Sequence, residues 1–488
     1  MPGESSSVNE KTPQKADRTE GDINLSSARQ KWSEKFIGDE TRHWLERDAE
    51  AFLHQSLSSP CLDVLMSCEG STITDLEGRT FLDFHGNSVH QVGFGNPKVL
   101  EAVRSQLGTL PFSPRRYTNV PAIKLAEKLG SLAPVGSSSF SGKVSGQNNV
   151  AGKVLFAPGG TLAVGMALKL ARIVTGRFKT ISMWDAFHGA SLDAISLGGE
   201  ALFRRGIGPL LPGTEHVPPA DPSSCLWDSN GDCEACGLKC ATYIDYVLEK
   251  EGDVAALIAE PVRCTNINLP PKGYWQAVRK ACDKHGALLI FDETAVCLGR
   301  TGKMFACENY DVEPDILTLG KGLGGGVLPM AAIVARRDLD LAPDKALGHY
   351  THEKSPVGCA AGLATIEFIE SEGLLEKTVE SGTYAVNQLV SMKTHHLLIR
   401  DVRGIGLLFG MEIGCTDLKS TVDVADVADA ILYGALSKGL SFKISQGNFL
   451  TLTPPLTITK DELDHAMNIL DSVITEVEQK FLGIHNEL

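Results

Sequence analysis

An aspartate that closes an apolar run and a lysine set among glycines are the residues of this sequence best suited to chemistry. The run Ala287-Leu-Leu-Ile-Phe291 ends in Asp292-Glu293, delivering a carboxylate where ionisation is costly unless a positive partner meets it. A protonated ring nitrogen would be such a partner. The next apolar run is followed by Gly320-Lys321-Gly322-Leu-Gly-Gly-Gly326, whose glycines let a ligand approach the backbone around one amine. An amine so placed can form a Schiff base. Earlier, Pro158-Gly-Gly160-Thr161 opens a helical stretch through Arg172, and the free N–H groups and dipole of its start suit a phosphate. Asp185-Ala-Phe187-His188-Gly189 can set an aromatic face against a planar ring.

Each feature alone has an ordinary explanation: a strand-terminal Asp caps helices, a Gly-flanked Lys sits in turns, and a Phe fills cores. In the order phosphate turn, aromatic, carboxylate, lysine, they describe what a protein contributes to pyridoxal phosphate chemistry.

Those residues must be held by strands. Short apolar runs at 153–157, 180–184, 255–259, 287–291, 316–319 and 331–334 alternate with helical stretches, each bounded by Gly, Pro or charge. Near-continuous apolar strands of this kind imply a parallel sheet covered on both faces, with ligands at the carboxyl ends of its strands. Downstream, a helix over 358–370, a strand near 402–411 and amphipathic helices over 425–437 and 460–481 predict a smaller α+β unit. Upstream, 32–53 has the apolar spacing of one helix lying on a core, and 71–84 alternates around Leu76-Glu-Gly78 as a hairpin does. The expected partition is a flexible tail over 1–30, an arm and hairpin over 31–100, a large cofactor domain over 101–345 and a small domain over 346–488.

Composition agrees. A chain of 488 residues, 43% hydrophobic, organises two to three packed units, and 49 Gly with 6% aromatics suit α/β turns better than a coiled coil. The balance of 46 basic against 60 acidic residues, −14, would repel nucleic acid. No run approaches the roughly 18 to 20 apolar residues of a bilayer span. The first 22 residues lack an apolar stretch and are rich in acids, which argues against a leader and for a cytoplasmic protein. Of twelve cysteines, Cys225, Cys233, Cys236 and Cys240 crowd into one stretch that could hold zinc. Their irregular spacing favours a surface insertion with free or locally paired thiols and no metal.

Leu289-Ile-Phe-Asp-Glu293, Gly299-Arg-Thr-Gly-Lys-Met-Phe-Ala-Cys-Glu308 and Pro314-Asp-Ile-Leu-Thr-Leu-Gly-Lys-Gly-Leu-Gly-Gly-Gly326 resemble the central signature of the class-III aminotransferase family of pyridoxal phosphate enzymes. The likeness runs from about Gly70 to the C-terminus. It implies a fold-type I α/β transferase, mainly parallel in its large sheet, that works as a homodimer with shared active sites. It also implies Lys321 as the Schiff-base lysine, Asp292 on the pyridine nitrogen, Phe187 on the ring, and Gly160 and Thr161 on the phosphate. Thr351 would reach the phosphate of the neighbouring subunit.

The departures from the family pattern are informative. Leu162 replaces an acid in the phosphate turn, Ala295 a glutamine, and His352-Glu-Lys-Ser-Pro356 a Phe-Gly-Gly-Asn-Pro stretch. Arg263-Cys-Thr-Asn266 stands where many members have Gln-Gly-Glu-Gly, putting Thr265 in place of a glutamate that pairs with an arginine and switches between two substrates. Arg403 is retained without that partner. A transaminase needs such a gate; the family's lyases need one substrate and an anion clamp. Arg115, Arg116, Arg263, His352, Lys354 and Arg403 offer its cations. As wholes, Pro114-Arg-Arg-Tyr-Thr-Asn119, Glu260-Pro-Val-Arg-Cys-Thr265 and Tyr350-Thr-His-Glu-Lys354 resemble the branch of (R)-1-hydroxy-2-aminoethylphosphonate ammonia-lyases. That resemblance implies β-elimination of water and enamine hydrolysis to phosphonoacetaldehyde and ammonia, with Lys321 as general base. An ω-aminotransferase passing the amino group to a 2-oxo acid and a non-catalytic, cofactor-binding protein are the alternatives.

Overall fold

The computed structural model describes residues 24–136, 152–227, 231–415, 418 and 422–483. Its centre is a seven-stranded sheet made of β4 (Gly152–Ala157), β5 (Lys179–Met183), β6 (Thr214–Val217), β7 (Val254–Ala259), β8 (Leu288–Asp292), β9 (Ile316–Leu319) and β10 (Ala331–Arg336), in the order β4-β10-β9-β8-β7-β5-β6. Only β10 runs against the rest, pairing antiparallel with both β4 and β9. The other six share one direction, so the residues that follow β4, β5, β7, β8 and β9 gather along one edge.

The near-continuous apolar runs exist because both faces are buried. All six residues of β7 and all five of β8 are buried. Alternate residues serve opposite cores: Leu257, Leu289, Phe291 and Leu317 join one, whereas Ala256, Ile258, Ile290 and Ile316 pack with Ala163, Val164 and Ala167 of the helix Gly160–Thr175 in the other.

Two smaller sheets flank it. β1 (Leu65–Glu69), β2 (Thr72–Asp75) and β3 (Thr80–Asp83) form an antiparallel ribbon, and β13 (Leu440–Ser441) adds to it parallel to β3. The other contains β11 (Ile399–Ile405), β12 (Leu408–Ile413), β14 (Lys443–Ser445) and β15 (Phe449–Leu452), in the order β11-β12-β15-β14. The stretch 402–411, expected as one strand, is therefore a hairpin. Gly406, at φ +57°, turns the chain so tightly against Arg300 and Thr301 that an added Cβ would strike their backbone. The helices over 358–370, 425–437 and 460–481 are present as Pro356–Ser371, Val424–Ser437 and Lys460–Leu482, and a helix not foreseen, Leu374–Lys393, lies against the hairpin.

The single arm helix expected over 32–53 is two helices, Ser27–Phe36 and Asp39–Ala51. The break is set by Glu77 in the ribbon turn, whose carboxylate accepts from the Gly38 N–H at 3.0 Å and the Thr41 hydroxyl at 2.8 Å. The first helix begins inside the segment expected to be a tail; residues 1–23 of that segment lie outside the described ones. Among the described residues no helix is long and apolar enough to cross a membrane.

Candidate active site

The strand ends surround a cavity of about 360 Å³. Asp292, the last residue of β8, enters it from below. Its Oδ1 accepts from the hydroxyls of Thr294 at 2.6 Å and Thr318 at 2.8 Å and from the Thr294 N–H at 3.1 Å. His188 Nδ1 lies 2.8 Å from Oδ2. Burial pushes this carboxyl up, but His188 and the two threonine hydroxyls outweigh it and bring it down to about 2. Asp292 is thus an anion at neutral pH, held ready for a cationic ring nitrogen.

Lys321 follows β9 at φ +46°, a left-handed backbone rare for a lysine, and its side chain is exposed to the same cavity. The turn packs closely on β8, since an added Cβ at Gly320 would meet Thr294 at 2.9 Å. Opposite, Gly160 and Thr161 line the cavity at the start of a helix whose first backbone bonds come from Leu162 and Ala163 to the Gly159 carbonyl, so their own N–H groups precede the intrahelical ladder. Phe187 lines the cavity too, its ring 4.5 Å from that of Phe203.

Among the described residues Arg263 is the one arginine in the lining, and it is already engaged. Its guanidinium binds Glu200 and, at 2.5 Å, Glu260, with Asp185 at 4.0 Å; Arg263 and Glu200 are buried, Glu260 and Asp185 half-buried. One cation cannot neutralise all three carboxylates. Burial and the neighbouring Asp292 charge push Glu260 well above its usual range, and burial raises Asp185 despite Arg263.

The facing wall comes from the smaller sheets. His85, Asn87 and Ser88 follow β3, their turn pinned by the Asp83 carboxylate, which accepts from His85 N–H at 3.1 Å and Gly86 N–H at 2.9 Å. Lys443 on β14 pairs in register with Thr451 on β15, and both face the cavity beside Thr453. The Thr451 hydroxyl donates to the Thr265 carbonyl, which ties this wall to the segment carrying Arg263.

Of the residues expected from the sequence, Lys321, Asp292, Gly160, Thr161, Phe187 and Arg263 therefore converge. Arg115, Arg116, Thr351, His352 and Lys354 do not line the cavity of the single chain; they are exposed on two loops joined by Asn119 Nδ2 donating to the Lys354 carbonyl at 3.0 Å, with the Phe112 and His352 rings 5.3 Å apart. Arg403 is also outside it, bonded to Asp401 at 2.7 Å, Glu412 at 2.5 Å and the Asn266 carbonyl at 3.1 Å. His188, Thr318, Glu200 and Lys443 were not singled out. His188 had a visible signal, adjacency to Phe187; the others are brought in from distant elements. Cys225, Cys233, Cys236 and Cys240 are unbridged and half-buried, with burial raising Cys240 to about 11.

A planar cationic ring with a phosphate fits this donor set: an ionised carboxylate, an aromatic wall, free helix-start N–H groups and one amine. Fold and site together define a fold-type I pyridoxal phosphate enzyme. The chain belongs to the aminotransferase class-III family, whose model matches residues 57–474. It is 48% identical to the (R)-1-hydroxy-2-aminoethylphosphonate ammonia-lyase of Vibrio splendidus, over 95% of this chain and 96% of that one. It is 34% identical to the acetylornithine aminotransferase of Caldanaerobacter subterraneus over 85% and 95%. Among solved structures, an amine transaminase from an uncultivated Pseudomonas species in its PLP-bound form superposes with a TM-score of 0.78 at 28% identity, covering 88% of this chain and 99% of that one.

Proposed function

We propose that this chain is an ammonia-lyase converting (R)-1-hydroxy-2-aminoethylphosphonate to phosphonoacetaldehyde and ammonia. The observation that carries the reading is the missing switch: Thr265 stands in place of the switching glutamate, and Arg403 is bonded instead to Asp401 and Glu412. A site that exchanges two substrates must free or mask a cation, and this one has its arginine committed on both sides. The activity named for the 48% identical Vibrio splendidus relative supports the same choice.

In this reading Gly160 and Thr161 would hold the cofactor's phosphate, Phe187 would cover its ring and Asp292 would pair with its pyridine nitrogen. When bound, the cofactor supplies an electron sink for the pair left by a departing proton. Lys321 removes that proton from the carbon bearing the amine. It then protonates the hydroxyl leaving the neighbouring carbon, which departs as water. The enamine that remains takes up one water and divides into the aldehyde and ammonia. Lys443, on the wall facing Arg263, holds the phosphonate.

The enzyme acts as a homodimer. Thr351 reaches the neighbouring subunit's phosphate site, and Arg115, Arg116, His352 and Lys354 border the neighbour's entrance, while Arg403 stays in its ion pairs. We place it in the cytoplasm, the compartment that keeps unbridged cysteines reduced.

A second reading, an ω-aminotransferase, is favoured by the transaminase neighbours and by the retained Arg403. Incubation of the holoenzyme with the hydroxy-aminophosphonate and no 2-oxo acid separates the two. Sustained ammonia release is expected; turnover strictly dependent on a 2-oxo acid would sink the lyase reading.

A further inference from the structure

Away from the cavity, the end of the helix Leu374–Lys393 and the C-terminal helix Lys460–Leu482 bring two imidazoles onto one carboxylate oxygen. His395 Nε2 and His396 Nε2 each lie 3.0 Å from Asp471 Oδ1, and the three candidate ligand atoms lie within 4.8 Å of one another. The two rings are 4.6 Å apart and tilted by 46°. Behind them, His396 Nδ1 meets Glu478 Oε2 at 2.9 Å, and the other Glu478 oxygen accepts from the Leu398 N–H at 2.9 Å. His396 is 4% exposed, whereas the side chains of His395 and Asp471 are about half exposed, at 54% and 47%, so the cluster is anchored inside and open outside.

We propose that His395, His396 and Asp471 form a site for a divalent late transition metal such as zinc, with solvent completing the shell. Two imidazole nitrogens with one carboxylate are a zinc-type donor set, and calcium or magnesium would demand oxygen ligands. Metal bonds of about 2.0 to 2.1 Å in a tetrahedral site set its ligand atoms about 3.3 Å apart, so the 3.0 Å contacts need open by only a few tenths of an ångström. Glu478 supplies what such sites use behind a histidine: a fixed carboxylate that takes the Nδ1–H and leaves the Nε2 lone pair for the ion. On binding, the ion replaces any proton on the two Nε2 atoms, which leaves to solvent.

The other group of three close acidic ligands, Asp63, Asp75 and Glu77, makes a useful contrast. There Arg79 already contacts all three carboxylates, at 3.1, 2.5 and 3.3 Å, and fills the place of a cation. Among the described residues, the side-chain partners of Asp471 are the two imidazoles themselves. The four clustered cysteines do not bring three sulfurs within 4.8 Å of one another. A bound ion would staple the C-terminal helix to the turn after Leu374–Lys393.

The test is calorimetric titration of zinc chloride into chelator-treated, cofactor-loaded enzyme, alongside His395→Ala and Glu478→Gln. His395 is exposed enough for its variant to fold, and ammonia release by it should match the parent. One zinc per chain should be lost in His395→Ala, and Glu478→Gln should bind it about 10- to 100-fold more weakly. Zinc should also raise the melting temperature of the parent more than that of His395→Ala. Equal stoichiometry and affinity in the parent and His395→Ala would overturn the site, as would zinc uptake traced by a thiolate–cobalt absorption band to the cysteines alone.

Discussion

The two walls of the cavity are built on different principles. On the large-sheet side every group is over-determined: Asp292 has three side-chain partners, Arg263 is held by Glu200 and Glu260, and Lys321 stands on a strained turn packed against β8. On the small-sheet side Lys443 lies on a three-residue strand paired in register with β15, whose Thr451 hydroxyl meets both the Thr265 carbonyl and, at 3.0 Å, the Ser445 hydroxyl. Rigid contacts suit chemistry that every substrate shares. A cation carried on a separate short strand suits the choice of substrate, because changing it leaves the cofactor's supports intact.

The sharpest way to break this contrast is on the rigid wall. Lys321→Ala should keep the cofactor but lower turnover by at least about 10²- to 10⁴-fold, the share of a general base; wild-type ammonia release from this variant would remove Lys321 from its role. Asp292→Asn should cost about 10²- to 10³-fold in kcat, as loss of one fixed electrostatic partner does. If instead only KM rose in steady-state assays, the aspartate would serve binding rather than reaction.

On the other wall, Lys443→Met should lower kcat/KM for the phosphonate by about 10- to 100-fold, the worth of one charge-assisted contact, with the cofactor's absorbance unchanged. A drop of the same size for an uncharged amine would mean that Lys443 supports the fold and does not read the anion.

A separate effect concerns stability. Glu293 is buried beside the rigid wall, accepting from Ala306 N–H at 2.6 Å and Cys307 N–H at 2.8 Å, and burial raises its carboxyl from 4.5 to about 7 despite them. A raised carboxyl contributes stability that is complete below its unfolded value and lost as pH rises through the folded one. The parent should therefore lose roughly 3 kcal/mol between about pH 4.5 and 7 from this group, and Glu293→Gln should show a flatter profile in denaturant midpoints. Equal slopes would assign the pH dependence elsewhere.

The strands of the central sheet were legible because burial on both faces demands continuous apolar runs, and their ends marked Asp292 and Lys321. The hairpin Ile399–Ile405 with Leu408–Ile413 was not, because a glycine turn inside an apolar stretch leaves no polar punctuation. The break in the arm was hidden for a different reason: Glu77, which holds both Gly38 and Thr41, lies 36 or more residues away.

The sequence by itself determined the chemistry available: one amine, one strand-end carboxylate and a phosphate turn, in an order that only a doubly covered sheet can bring to one edge. Tertiary structure alone decided the charges. It set His188 and two threonines around Asp292 so that a buried carboxylate stays ionised, committed Arg263 to Glu200 from 63 residues away, and turned Lys443 toward the cavity. Ionisation depends on desolvation and on partners a few ångströms off, and those distances exist only once the chain has folded.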